Sequence, residues 1–543
     1  MRPVIVVTVS IALSAIGLLQ ATEPGDQDIA WRIRREATDR SQLLQTLHVL
    51  TDVYGPRLTG SPNLEEAGKW ARDQLGQWGL VSGRLEPWDF GHAGWTNERV
   101  SAFVVEPVKD TLTVEVVAWT PSTPGTVVAP AVQIVPPERP TAEELTAYLA
   151  RVGPTLRGKV VLVGQGDPVP VSFSPVAKRR ELAEVRAQYD PDDPAPSPFA
   201  RMAQPQQAEG PKRLSADEID RQINAACVDH GAAVRVNDAG REHGQVRAFN
   251  NRTFDLAKAV PTVVLRNEDF GRIARLLAGN RPVQLEFTVV NRDHPAGRTA
   301  YNVVAEIPGS DKADEIVILG AHLDSLQSAT GATDNAIGAA VMMEAARILK
   351  AVGAKPRRTI RIALWAGEEQ GLLGSLAYVK EYFGTFEQPK PGFDKLAAYF
   401  NLDSGTGRVR GATVFGPPEA AGVVRAALAP LTDLGVAGAT HSSSRRRGGS
   451  DHTSFSEAGL PGISMGQDPI EYMSHTWHTN LDTYERVVPE DAISSAIAVA
   501  VAVHHVATRD ELLPRFAKDK MPAPPAPSAD APRPTTSAGG PTR

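Results

Sequence analysis

At 543 residues the chain is too long for one compact core, so two or more domains are expected. A hydrophobic content of 42% and a charged content of 22% are those of an ordinary soluble globular protein, and a net charge of -6 offers no basic face for nucleic acid. The one cysteine, Cys227, excludes an internal disulfide and any multi-thiolate metal site.

The chain opens with Arg2, an apolar or small stretch over residues 4–19, and Gln20-Ala21-Thr22 before a polar run. That is the layout of a secretory signal peptide over residues 1–21, which implies export to the periplasm or beyond and no stable membrane association once it is cut. An uncleaved anchor is the alternative, but the apolar run is shorter than the roughly 20 residues a spanning helix needs. Residues 29–50 and 64–78 read as helices, with the turn-rich Tyr54-Gly55-Pro56-Arg57-Leu58-Thr59-Gly60-Ser61 between them as a connector. Short β-rich runs follow at 114–119, 127–135, 159–163, 260–265 and 283–290, interrupted by a Pro- and charge-rich interval at 189–212.

From residue 301 the pattern alternates. Strands are expected at 316–320, 359–365, 396–402, 412–415 and 463–465, and helices at 335–352, 372–383 and 489–507. Such alternation predicts an α/β fold with a mostly parallel mixed sheet flanked by helices, its reactive groups gathered beyond the carboxyl ends of the strands. The end of the chain, rich in Pro, Ala, Ser and Thr, cannot offset its ordering entropy and reads as disordered.

Acids and imidazoles sit at those strand ends and helix starts. His322 ends one strand, and Asp324, two positions on, points the same way in an extended chain, where it can bond the far ring nitrogen. Asp334 stands at a helix start, as an N-cap or as a carboxylate with one oxygen for each of two ions. Glu368 and Glu369 are adjacent acids after a buried strand, a costly place unless cations neutralise one of them. Asp403 repeats the pattern, and His478, with His475 as competitor, lies in Trp-His-Thr-Asn. Asp451, His452 and Tyr472 are candidates for substrate contact. Two histidines and several carboxylates form a nitrogen/oxygen set suited to zinc.

This ordered set resembles the co-catalytic zinc exopeptidases, the family of bacterial leucyl aminopeptidases and carboxypeptidase Q. The likeness runs from 301 to about 507 and, through Tyr-Gly-Pro-Arg-Leu-Thr-Gly-Ser, over 29–105. It implies a catalytic domain in two parts, 29–106 and 296–515, an inserted β-rich, protease-associated-like domain at 107–295, and a disordered tail at 516–543. It further implies two Zn2+ ions, His322 and Asp403 on one, Glu369 and His478 on the other, and Asp334 bridging. Glu368 would be the general base and Asp324 the partner of His322. In this family the peptide after the bridging aspartate is often cis. The expected chemistry is hydrolysis of small peptides by a two-zinc activated water, as an aminopeptidase or as a dipeptidase or carboxypeptidase. A homodimer is left open. Two other readings share the fold: a non-catalytic receptor-like protein and a single-zinc glutaminyl cyclase-like enzyme. The run Arg445 to Arg447 has no family role, and either attracts a substrate carboxylate or is a solvated loop.

Overall fold

A computed structural model describes residues 24–171, 173, 178–195 and 213–524. The leader expected at 1–21, part of the charged interval and residues 525–543 of the tail lie outside the described residues.

Two eight-stranded sheets organise the described residues. The first runs in the order Val81–Asp89, Thr299–Ile307, Arg358–Trp365, Lys312–His322, Leu396–Asn401, Gly462–Gln467, Val409–Phe415 and Gly438–Ser442. Its four central strands, from Arg358–Trp365 to Gly462–Gln467, are parallel, and an antiparallel neighbour flanks them on each side. The expected mostly parallel mixed sheet is present. Its centre is legible because strands covered on both faces carry continuous apolar runs: every residue of Leu396–Asn401 is buried. The edge strand Val81–Asp89 has no such run, being exposed or half-buried throughout, and was not foreseen.

The helices Ile337–Ala351 and Pro489–Thr508 pack together over the sheet. The first is buried on all sides from Ile337 to Leu349, which its Gly and Ala residues permit by letting neighbours approach closely. Its two charged core residues answer each other, with Arg347 Nε donating to Glu344 Oε2 at 2.8 Å and Nη1 to Glu36 at 2.7 Å. Pro489–Thr508 is long and apolar enough to cross a membrane by composition, but 72% of that window is buried inside the protein as a core helix.

The second sheet lies between Val81–Asp89 and Thr299–Ile307 in the chain. Gly94–Glu106 leads out and Gln284–His294 leads back, paired antiparallel. Beyond them Val127–Ile134, Val160–Val163, Val234–Asp238 and Thr262–Leu265 run parallel. The helices Ala142–Val152, Ala216–Asp229 and Asn267–Ala278 accompany these strands, so the module is α/β at its centre. Only the strands of this module are expected from the apolar runs, whereas two of its helices are announced by capping boxes, Thr141 with Glu144 and Ser215 with Glu218. The composition boundary at 107 falls after Gly94–Glu106, although that strand pairs within the second sheet and so belongs with the module. At the other end, residues 516–524 were grouped with the tail by composition, yet Phe516 packs on Phe415 and the Pro522 carbonyl accepts from Arg445.

Candidate metal centre

The carboxyl ends of the central parallel strands deliver the chemistry to one place. Lys312–His322 ends in His322, fully buried. Its Nδ1–H donates to the main-chain carbonyl of Asp324 at 3.0 Å, which leaves Nε2 as the nitrogen facing the carboxylates. The Asp324 carboxylate stands farther off, 3.7 Å from Nδ1. This corrects the expected Asp324 side-chain contact: the strand ends at His322, so extended alternation does not carry through to residue 324. The carboxylate instead accepts the backbone N–H of Glu368 at 3.3 Å and of Glu369 at 3.2 Å, and the Thr59 hydroxyl at 3.2 Å. Asp324 therefore sets the loop that carries both glutamates.

That loop follows Arg358–Trp365 and turns at Gly367, whose φ is +76°. A Cβ there would also lie 2.7 Å from the Trp88 ring, so glycine answers both a left-handed backbone and a close approach. Asp403 follows the neighbouring strand Leu396–Asn401. Asp334 lies in a short irregular turn before Ile337–Ala351, and the Asp334–Asn335 peptide is cis.

Asp334 is central. Its Oδ1 lies 3.3 Å from His322 Nε2 and its Oδ2 lies 3.2 Å from His478 Nε2. Each imidazole meets a second acid on its other side: Asp403 Oδ1 is 3.4 Å from His322 Nε2, and Glu369 Oε2 is 3.0 Å from His478 Nε2. The result is two ligand groups sharing one carboxylate, His322–Asp334–Asp403 and Asp334–Glu369–His478, the ligand atoms of each within 4.8 Å of one another.

The donor set fits divalent metal. Two ligands each about 2.0–2.1 Å from a tetrahedral zinc stand roughly 3.3 Å apart, the spacing seen here. Glu369 Oε1 is buried and accepts no hydrogen bond, a capacity left for a cation. Charge points the same way. Burial opposes protonation of His322 and His478, yet the surrounding carboxylates win, raising His322 well above its ordinary range and His478 to about 10. Burial pushes Glu368 well up despite the His322 charge. The enclosed acids therefore favour positive charge beside them.

Tyr472 reaches the rim, with its hydroxyl 3.5 Å from Asp403 Oδ1. Asp451 is fully enclosed, and burial raises it to about 7 against the field of His322. His452 opens the helix His452–Glu457, and burial lowers it to about 4. His475 stays out of both groups and bonds Ser474.

Three supporting residues were not singled out. The supposed connector at 54–61 carries Arg57, whose guanidinium donates to the carbonyls of Leu323, Leu50, Gly55, Thr330 and Gly331, tying the turn after His322 to the turn before Asp334. Thr59 bonds Asp324 as above. Asp482 accepts the backbone N–H of Thr333 at 2.5 Å and of Asp334 at 3.0 Å. Its place four residues after His478, within Trp-His-Thr-Asn-Leu-Asp, was the available signal.

The model for peptidase family M28 matches residues 302–503. Carboxypeptidase Q from Rattus norvegicus is 26% identical over 475 residues, 87% of this chain and 86% of its own length. A peptidase M28 precursor from Shewanella amazonensis shares the fold with a TM-score of 0.64 at 24% identity, covering 91% of this chain and 100% of that one. A zinc aminopeptidase from Bacillus subtilis does so with a TM-score of 0.54 at 17% identity, over 88% and 97%. The chain is a zinc metallopeptidase, and its likenesses are to co-catalytic exopeptidases. The matched span of this peptidase contains every member of both ligand groups, whereas Arg57 and Thr59 lie before it.

Proposed function

We propose that this metallopeptidase is an exported exopeptidase of small peptides working with two zinc ions. His322 and Asp403 would hold one ion, Glu369 and His478 the other, and Asp334 both. The observation that carries the reading is Asp334, one carboxylate with an oxygen toward each of two imidazoles, each imidazole backed by its own second acid. Zinc, when bound, supplies Lewis acidity and makes water nucleophilic near neutral pH.

The chain's own residues handle the proton. Glu368 is enclosed beside the ligand groups, its backbone fixed by Asp324. As carboxylate it takes a proton from the attacking water. As carboxylic acid it returns that proton to the departing amine nitrogen, so the peptide bond is replaced by a carboxylate and an amine. The neutral His322 ring is held in one tautomer by the Asp324 carbonyl. Tyr472 and His452 are candidates for the substrate-facing wall in this reading, whereas Asp451 is fully enclosed and offers substrate no surface. The leader at residues 1–21 supports export, and the module at 107–295 acts as a separate inserted domain. Loss of the leader would leave no stable membrane association, and a homodimer is compatible with the reading.

The test is metal analysis of purified protein together with hydrolysis of a panel of unblocked dipeptides and aminoacyl anilides, with and without chelator. Two zincs per chain and chelator-sensitive cleavage are expected. One zinc per chain would favour glutaminyl cyclase-like chemistry, and zinc without cleavage of any peptide would favour a binding role.

A further inference from the structure

The inserted module packs against the His478 side of the metal centre through its segment at 246–252. Val246 N–H donates to Asn480 Oδ1 at 2.8 Å and Asn480 N–H donates to the Val246 carbonyl at 3.0 Å, with Arg247 and Thr479 bridged as a minimal antiparallel pair. Gln327 Nε2, from the loop after His322, donates to the carbonyls of Ala248 and Phe249. The segment is thus pinned from both sides of the metal centre. Phe249 meets the His478 ring edge-on, 5.4 Å between centroids, and Trp477 stacks on His478 at 3.9 Å. The Arg247 guanidinium lies over both of these rings, 4.6 Å from Trp477 and 5.9 Å from Phe249.

Arg247 is unlike the other arginines nearby. Arg252 pairs with Asp217, and the suspected run is committed elsewhere: Arg445 with Glu387 and Arg447 with Glu457. Arg241 is spent on the carbonyls of Met473 and Ser474 and on Gln245. Arg247 has no carboxylate partner among the described residues, and its Nε is buried without a hydrogen bond. Burial, then the charge of Arg241, depress it to about 10. A half-buried, uncompensated guanidinium is costly, and two aromatic faces recover only part of that cost. The planar fork suits a carboxylate that arrives with substrate.

We propose that Arg247 is a specificity residue that receives the free α-carboxylate of the peptide on the leaving-group side of the cleaved bond. The inference rests on the exopeptidase reading above and names the group that the enzyme selects. It gives the inserted module a direct part in substrate choice.

The experiment compares one dipeptide with its C-terminal amide on the wild type, Arg247→Ala and Arg247→Lys, with zinc content measured for each. The free acid is expected to have a KM about 10–100-fold below that of the amide in the wild type. In Arg247→Ala the acid should lose that advantage with kcat little changed, the amide should be unaffected, and Arg247→Lys should fall between. A second readout is calorimetric binding of both compounds to Glu368→Gln, with and without Arg247→Ala, which needs no turnover. Equal handling of acid and amide by the wild type overturns the inference, and so does an Arg247→Ala that weakens both alike, since that marks a packing role. If Arg247→Ala does not fold, the wild-type pair and Arg247→Lys decide. Selective binding of the acid without hydrolysis would remove the exopeptidase reading and leave the carboxylate site standing. Hydrolysis without selectivity would do the reverse.

Discussion

The two halves of the metal centre are built differently. The His322 half stands on the ends of two adjacent central strands: its imidazole is fully buried, and its second nitrogen is bonded to a carbonyl. The His478 half stands on loops. His478 has a left-handed backbone, φ 62°, and its Nδ1 is buried without a partner. Its orientation comes from aromatic packing, Trp477 on one face and Phe249 of the inserted module at its edge. The open pocket, lined by Ser328, Gly331, Glu369, His478 and Asp482 among others, lies on this side. One half is fixed by the sheet, and the other can be adjusted by what binds beside it.

Asp334 joins the halves, so Asp334→Ala should have the largest effect. It removes a ligand from both groups, and metal analysis should find less than one firmly held zinc per chain and no turnover. Two zincs in that variant would sink the bridge. Glu368→Gln comes next. It should keep its metal and lose about 10²–10⁴-fold in kcat, the usual worth of acid–base assistance. Undiminished kcat would take Glu368 out of the reaction. The asymmetry itself is tested by graded chelation: metal should leave in two steps, the His478 side first, whereas a single cooperative loss would make the halves equivalent.

Much of this was legible in the sequence and some was not. Strand ends are readable because buried parallel strands are continuous apolar runs, and His322, Glu368 and Asp403 follow such runs directly. Asp324 was found, but its contact was misassigned, because the period of two holds only while the chain stays extended. Arg57 was passed over because its segment reads as a turn. Its role depends on carbonyls up to residue 331, far along the chain, and no local pattern encodes that. The strands of the inserted module are visible as apolar runs, and two of its helices are marked only by the capping boxes at Thr141 and Ser215. Arg247 carries no motif at all, and only its lack of an acid partner among the described residues sets it apart.

Asp324→Asn should cost less than loss of a ligand. The carboxylate accepts three donors, from Thr59, Glu368 and Glu369, and the amide keeps one acceptor oxygen while turning its nitrogen toward donors. The glutamate loop should shift, and affinity at the Glu369–His478 position should fall about 10–100-fold, with little change on the His322 side, whose ring bonds the main chain. An equal loss on both sides, read by cobalt titration followed spectroscopically, would mean that Asp324 acts on the histidine after all.

The smallest expected effect concerns protons at the adjustable half. Burial opposes charge on His478, but Glu369 and Asp334 raise it from an ordinary 6.5 to about 10 in the metal-free protein. That protonated pairing stabilises the metal-free fold in full below pH 6.5 and is lost as pH rises through about 10. Metal binding needs the lone pair and must expel the proton across that window. Affinity should therefore rise about tenfold per pH unit between pH 7 and 9, one proton released per ion bound. Below pH 7 the slope should steepen, because burial raises Glu369 to about 7, against the His478 charge, and adds a second proton to be displaced. The His322 ring is protonated by the same kind of acid excess. Its metal should leave second at every pH, so the two half-titrations ought to keep their order while both move. Calorimetry in two buffers of different ionisation enthalpy counts the protons. A count of zero at pH 8 would mean that the imidazole is already neutral there, and the acids around it would then have to be balanced by some other charge.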